Sequence, residues 1–329
     1  MKRVVALLMI GMLLITGLAF AEDHPAAVQA PLESAAYEFN PHLYLPLLDR
    51  DVPQDWWDSF HNLCDALRAG ETTFACSSEA AYKWATSPVT LTELFPPACT
   101  KITGESNDGT VPFENGIGRI YYQMPVDEYV ARQAQFEALV ADVLNGCLAP
   151  DDDDFAKCLK LYDYISINYT YQEDFMEFIP DGNVYYTIMT HSGQCIDLAS
   201  VYAYFLLQAG VEALNVGCSN PDMAHGWTYI ILNGKGYHSD PTWGLRPAGD
   251  PLSLYYFMMD DARRVDSGCA VDDLTAPLLP RYWVSFSNVS FVAEDDTYCF
   301  PPESFLESLD TDSRTVRYMY YGQEHELCY

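Results

Sequence analysis

Basic residues are scarce in this 329-residue chain, where 17 Lys and Arg stand against 47 Asp and Glu for a formal net charge of −30. So acidic a protein is repelled by nucleic acid and by anionic membrane surfaces, and neither is expected as a partner. Beyond residue 21 no stretch approaches the roughly 20 apolar residues that a membrane helix needs. C-x-x-C pairs and an H-E-x-x-H helix are also missing, so a zinc site has no support, and no metal or other cofactor is expected. The run Asp151 to Asp154 lacks the interleaved ligands and the glycine of a calcium loop. It reads instead as a helix start, where carboxylates meet the positive end of the helix dipole. Internal repeats are absent.

Apolar material is plentiful: 49% of the residues are hydrophobic and 14% aromatic, enough for a sizeable core and one or two domains. The chain opens with Lys2 and Arg3, an uncharged apolar run, and Ala19-Phe20-Ala21 before Glu22. That is the pattern of a cleaved signal peptide. Residues 1–21 are expected to be removed, and the mature protein to be secreted or otherwise exported, to an extracellular or periplasmic location. In such a compartment most of the ten cysteines are expected in disulfides, and spacing allows Cys64–Cys76, Cys147–Cys158 and Cys299–Cys328 as local pairs. If one cysteine stays a free thiol, an odd number is left and at least one more must be unpaired.

Residues 22–120 comprise an Ala- and Pro-rich arm to about Pro46, one clear helix, and a stretch of turns and short elements. The helix, "DWWDSFHNLCDALRAG", spaces Trp57, Phe60, Cys64 and Leu67 by 3, 4 and 3 and stops at Gly70. Residues 121–329 read as the main domain. Its first helix opens at Pro125, sets Tyr129, Phe136, Leu139, Val140 and Val143 on one side, and closes at Asn145-Gly146. A second follows the aspartate run, with Phe155, Leu159, Tyr162 and Ile165 as its buried stripe. A Tyr-rich connection leads to "GQCIDLASVYAYFLLQAG", an apolar helix whose residues 196–207 are expected to be buried and whose end Gly210 suits. Strand composition follows in "VEALNVG" and "GWTYIILNGKGYHSDPTWG", with Asn233-Gly234 as a hairpin turn, and again in "YWVSFSNVSFV" and "RTVRYMYYG". Helices first and strands afterwards predict an α+β fold.

Three elements, Gly193-Gln194-Cys195, His225-Gly226-Trp227 and Asp240-Pro241-Thr242, stand in that order with a helix and a hairpin between them. Together they resemble the transglutaminase-like superfamily. The resemblance implies a papain-like core, in which N-terminal helices and a catalytic Cys helix pack on an antiparallel sheet, with the Asp-Pro-Thr element in a strand. It also implies a Cys195, His225, Asp240 triad, and it leaves the N-terminal third unexplained. Thr228 stands where many relatives carry Asn. The family draws its second oxyanion donor from an upstream side chain, for which Tyr171 and Gln194 are candidates.

The residues support the same triad independently. A thiol attacks a carbonyl only as thiolate, and a free cysteine, with a pKa of about 8.5, is mostly protonated at neutral pH. A helix N-terminus and a nearby imidazolium both stabilise the anion. If Asn233-Gly234 is a two-residue turn, Leu232 faces Lys235, His225 faces Thr242 and Trp227 faces Asp240. His225 and Asp240 are then a diagonal pair on one sheet face, on the order of 7 Å apart at the backbone. A three-residue loop would place them on opposite faces; the resemblance favours the same face. Blander readings exist for each residue: Cys195 as a disulfide half or core filler, His225 as a strand cap, Asp240 as a turn residue. His191 precedes the helix and His238 lacks a following Trp, so both are weaker candidates, and Trp227 reads as packing.

The predicted function is a secreted thiol enzyme acting on peptide or glutamine carboxamide bonds, so a protein or peptide substrate is the expected partner. Cys195 attacks, His225 carries the proton, Asp240 orients the ring, and the N–H of Cys195 supplies one oxyanion donor. Water resolving the thioester makes a peptidase or amidase; an amine makes a crosslink. Hydrolysis is favoured because the chain shows none of the extra domains of the large animal crosslinking enzymes. The alternative is a non-enzymatic binding module that keeps the fold, for which a disulfide at Cys195 would speak.

Overall fold

Helix α1 (Gln54–Ala69) buries Trp57, Phe60, Cys64 and Leu67, the four residues its spacing singles out. It ends at Gly70, whose φ of 69° lies in the left-handed region that glycine enters without a Cβ penalty. The computed structural model describes residues 37–106, 109–174, 183–219, 224–267, 274–278 and 290–329. These all fall within one compact unit, Ala35–Tyr329. The expected leader, most of the arm, Cys269 and most of "YWVSFSNVSFV" lie outside the described residues.

The region left mostly blank by the sequence supplies two more helices, α2 (Glu79–Ala85) and α3 (Pro88–Leu94). Trp84 of α2 meets Trp57 edge-on at 5.0 Å, joining both helices in one aromatic cluster. The end of the arm is not free, because Leu43 and Leu45 are buried and Asn40 exchanges two hydrogen bonds with the Gln208 amide, at 2.8 and 3.0 Å.

Helix α4 (Val126–Cys147) buries Tyr129, Phe136 and Val140 as expected, but also Gln133 and Leu144, while Leu139 and Val143 pack only half-buried. Helix α5 (Asp154–Asn168) starts at the acidic run: the Asp153 carboxylate accepts the Ala156 N–H at 2.9 Å, and Asp152 pairs with Lys160 at 2.6 Å. Helix α6 (Asn183–Thr190) rises out of the Tyr-rich connection, where no helix was expected. Helix α7 (Cys195–Gln208) buries every residue from Asp197 onward, because α5, α6 and a sheet all pack against it. The expectation that burial begins at Ile196 is corrected: that side chain is 43% exposed, on the first turn before the helix enters the core.

The sheet against α7 has three antiparallel strands, Glu212–Ser219, Ala224–Leu232 and Lys235–Ser239, with Ala224–Leu232 in the middle. Asn233 and Gly234 both take positive φ, 53° and 75°, as a two-residue hairpin turn requires. Pairing runs in the expected register from Leu232–Lys235 to Thr228–Ser239 and stops there. The predicted pairs Trp227–Asp240 and His225–Thr242, and the strand at Asp-Pro-Thr, are therefore overturned. Pro241 has no N–H for a ladder and suits the first position of a helix, and residues 241–244 form the short α8 (Pro241–Gly244). After α9 (Asp261–Asp266), the chain closes with a separate meander of Ser304–Asp310, Thr315–Tyr320 and Cys328-ending Gln323–Cys328. Helices first and an antiparallel sheet afterwards make this an α+β fold.

The disulfide expectation is also corrected. All nine cysteines among the described residues are free thiols, including both members of each proposed pair. Cys64 and Cys158 sit fully buried in the apolar core, and burial holds their thiols well above the ordinary range. They act there as small hydrophobes.

Candidate active site

Cys195 is the first residue of α7, and the residues before it fix that position. The Gln194 N–H donates to Asp197 Oδ2 at 2.9 Å while the Gln194 side chain accepts the Asp197 N–H, a reciprocal cap. Asn183 of α6 donates to the other Asp197 oxygen at 2.7 Å. Upstream, Thr170–Tyr171 pair in parallel with Ser192–Gly193, which brings Tyr171 alongside the helix start.

The middle strand must come very close to this turn for His225 to reach the thiol, and a glycine makes that possible. A Cβ on Gly226 would stand 3.0 Å from Ile196 Cα and 3.2 Å from Ile196 Cβ. Two side chains lock the contact: Thr228 donates to the Ala199 carbonyl at 2.9 Å, and Asn215 to the Ile196 carbonyl at 3.3 Å. Thr228, noted as a departure from the family pattern, thus binds the strand to α7 through its hydroxyl.

His225 Nε2 lies 2.6 Å from Asp240 Oδ2. Asp240 reaches it from the end of the hairpin, not from a paired strand. It caps α8, with Oδ1 accepting the N–H groups of Thr242 at 3.0 Å and Trp243 at 3.4 Å. Its main chain is held as well: the Asp240 N–H donates to the Tyr256 carbonyl at 2.8 Å, and the Tyr162 hydroxyl donates to the Asp240 carbonyl at 3.0 Å. With Nε2 committed to Asp240, Nδ1 is the atom the ring has for Cys195.

Cys195, His225 and Asp240 are thus brought together from three elements. Burial alone would raise the Cys195 thiol, but the hydrogen bond from His225, the N–H of Gly226 and the charge of the ring outweigh it and lower the pKa. Burial alone would lower His225, but hydrogen bonds to Asp240 and Cys195 and their charges push it up to about 10. The two shifts agree in direction, and both favour a thiolate–imidazolium pair at neutral pH.

The weaker histidines are occupied elsewhere. His238 is fully buried, accepting the Trp227 indole N–H at Nδ1 (2.9 Å) and facing Asp261 with Nε2 (3.3 Å). Trp227 is buried packing 5.9 Å from the His225 ring. His191 ends α6 at a φ of 55° and stacks on Tyr169. Of the two oxyanion candidates, Gln194 turns its Nε2 toward the Gln172 carbonyl at 3.5 Å, whereas Tyr171 is 44% exposed and close enough to feel the Cys195 charge, after burial the next cause raising its pKa. Trp243 was not singled out by sequence; it is 56% exposed, with its ring 6.2 Å from His225, and forms part of the rim.

Residues 141–241 match the family described as the transglutaminase-like superfamily, in agreement with the resemblance read from the three motifs. Among solved structures the chain is similar to a candidate cysteine protease from Cytophaga hutchinsonii, at 22% identity and a TM-score of 0.24, over 27% of this chain and 31% of that one. The match thus spans about a third of that chain's length. No curated protein matches the sequence.

Proposed function

We propose that the protein is a thiol-dependent acyl-transfer enzyme that hydrolyses peptide or carboxamide bonds through Cys195, His225 and Asp240. The observation that carries this reading is the coupled site itself: a half-buried thiol at a helix N-terminus, lowered in pKa by a histidine that a buried carboxylate holds at 2.6 Å.

The Cys195 thiolate attacks the carbonyl carbon, a C–S bond forms, and the carbonyl electron pair moves onto oxygen. The N–H of Cys195 donates to that oxyanion, and the Tyr171 hydroxyl is the second donor. As the oxyanion collapses, the C–N bond breaks and the Nδ1–H of His225 gives its proton to the leaving amine or ammonia. The neutral ring then takes a proton from water, whose oxygen attacks the thioester. Breaking of the C–S bond releases the carboxylic acid and restores the thiolate beside a protonated ring. Asp240 remains charged throughout and orients the imidazole. The exposed rim, with Ile196 and Trp243, leaves the thioester open to water, which favours hydrolysis over transfer to an amine.

The reading is tested by alkylating the native protein with iodoacetamide at pH 6 and mapping the modified peptides. Cys195 is expected to react well ahead of the other cysteines and to lose that advantage in His225→Ala; an inert Cys195 would sink the enzyme. Ammonia or new amines released in water from glutamine-amide and peptide substrates then mark hydrolysis, whereas incorporation of a fluorescent primary amine marks transfer. Export is proposed on the leader pattern of residues 1–21, and mass spectrometry of the mature protein is expected to find Glu22 at its N-terminus.

A further inference from the structure

A cavity of about 240 Å³ opens against the first turns of α7, with Ile196 and Asp197, the two residues that follow Cys195, in its lining. Small-molecule pockets usually measure roughly 300–1,000 Å³, so this one suits a single long side chain. Val89, Ile196 and Pro277 give it apolar walls, and Glu93 of α3 and Asp197 give it carboxylates.

The two acids are not equivalent. Asp197 has both oxygens committed to the Gln194 N–H and the Asn183 amide. Glu93 is only 9% exposed; its Oε1 accepts the Ser200 hydroxyl at 3.0 Å, and among the described residues its second oxygen has no hydrogen bond and no cation. Burial, aided by the Asp197 charge and opposed by the Ser200 hydrogen bond, pushes Glu93 up to about 7. A buried carboxyl without a counter-charge is disfavoured as an anion, and a cation brought within reach reverses that balance.

We propose that this cavity is a specificity subsite for a basic side chain of the substrate, a lysine- or arginine-type residue next to the attacked carbonyl. The aliphatic stem lies along Val89, Ile196 and Pro277, and the cationic head meets the free oxygen of Glu93 in a charge-assisted hydrogen bond. The proposal rests on the thiol-enzyme reading, because it is the neighbouring Cys195 that makes the cavity part of a substrate path. It also gives α3, in the region that the family resemblance leaves unexplained, a role in choosing substrates.

The test compares two peptidyl chloromethyl ketones that differ only in carrying lysine or norleucine, with iodoacetamide as a probe that needs no subsite. The second-order rate of Cys195 alkylation is read by intact mass and peptide mapping. The wild type is expected to favour the lysine probe by about 10-fold. Glu93→Gln keeps an acceptor for Ser200 and is expected to bring the ratio to about one. Val89→Phe, at a position 44% exposed, fills the cavity from its rim without touching the core and is expected to lower the ratio as well. An attraction arising from the overall acidity of the chain would survive either change. A wild-type ratio near one, or a preference undiminished in Glu93→Gln, overturns the subsite. Failure of iodoacetamide to label Cys195 overturns the thiol reading and the subsite with it.

Discussion

Asp240→Asn is the substitution that asks most of the site, because the Asp240 carboxylate accepts hydrogen bonds on both sides. Oδ2 faces His225 Nε2 at 2.6 Å, and Oδ1 faces the N–H groups of Thr242 and Trp243. An amide of the same shape has one acceptor and one donor. With its oxygen toward His225, its NH₂ is pressed against two backbone N–H groups. With its oxygen toward α8, its NH₂ faces Nε2, and the ring is held neutral with its proton on Nδ1, unable to take one from the thiol. The charge that favours imidazolium is lost in both cases. Holding His225 at about 10 and not at 6.5 corresponds to on the order of 5 kcal/mol in favour of the charged ring. Asp240 shares that effect with the Cys195 thiolate, so about half, ~2–3 kcal/mol, is at stake, or roughly a 100-fold loss in kcat/KM. The direct assay is the rate of Cys195 alkylation by iodoacetamide against pH. The wild type is expected to reach its plateau at a lower pH than an ordinary thiol, since the thiol is lowered and the ring raised. In Asp240→Asn the rate should instead climb with pH like that of an ordinary thiol. A mutant profile that overlays the wild type would refute the claim that Asp240 sets the charge state of the pair.

Three further outcomes follow from the packing. Glu93 has a folded pKa of about 7 against an ordinary 4.5, so its burial weighs least on stability below 4.5. Stability falls as pH rises through about 7, by on the order of 3 kcal/mol. Glu93→Gln should therefore raise Tm relative to wild type at pH 8 and lose that advantage at pH 4.5, in thermal melts followed by circular dichroism; an advantage independent of pH would contradict the assignment. Gly226→Ala would place a methyl 3.0 Å from Ile196 Cα and push the His225 strand off α7, at a cost of about 1–3 kcal/mol in urea unfolding and more than 10-fold in kcat/KM. Unchanged activity would show that the close approach is not needed. Thiol titration of the denatured, unreduced protein should count at least nine reactive cysteines, and a count of four or fewer would restore the disulfide expectation.

Elements governed by neighbours along the chain were legible in advance. The stripe of α1, the capped start of α5 and the turn at Asn233-Gly234 follow from 3.6-residue periodicity, a carboxylate at a helix end and paired positive φ angles, all local properties. So did the three motifs, whose order carried the family resemblance. Helix α6 was missed because its eight residues sit in a Tyr-rich stretch without a polar face to reveal a period. The cysteine pairings failed for a different reason: spacing allows a bridge, but only packing decides whether a sulfur meets another sulfur or a wall of apolar side chains.

By itself, then, the sequence determined an acidic α+β protein with Cys195 at a helix start and His225 on a hairpin. Only the tertiary structure decided how the third residue arrives. Extending the hairpin register would have kept Asp240 in the ladder, whereas Pro241 ends it and α8 turns the carboxylate onto His225. The tertiary structure alone also set the close contact at Gly226 that brings His225 to the thiol, and the pairing of Glu93 with Ser200 across 107 positions of chain. Periodicity and turns are written within a few residues, but the charge state of a thiol and the lining of a cavity depend on which distant segments exclude water together.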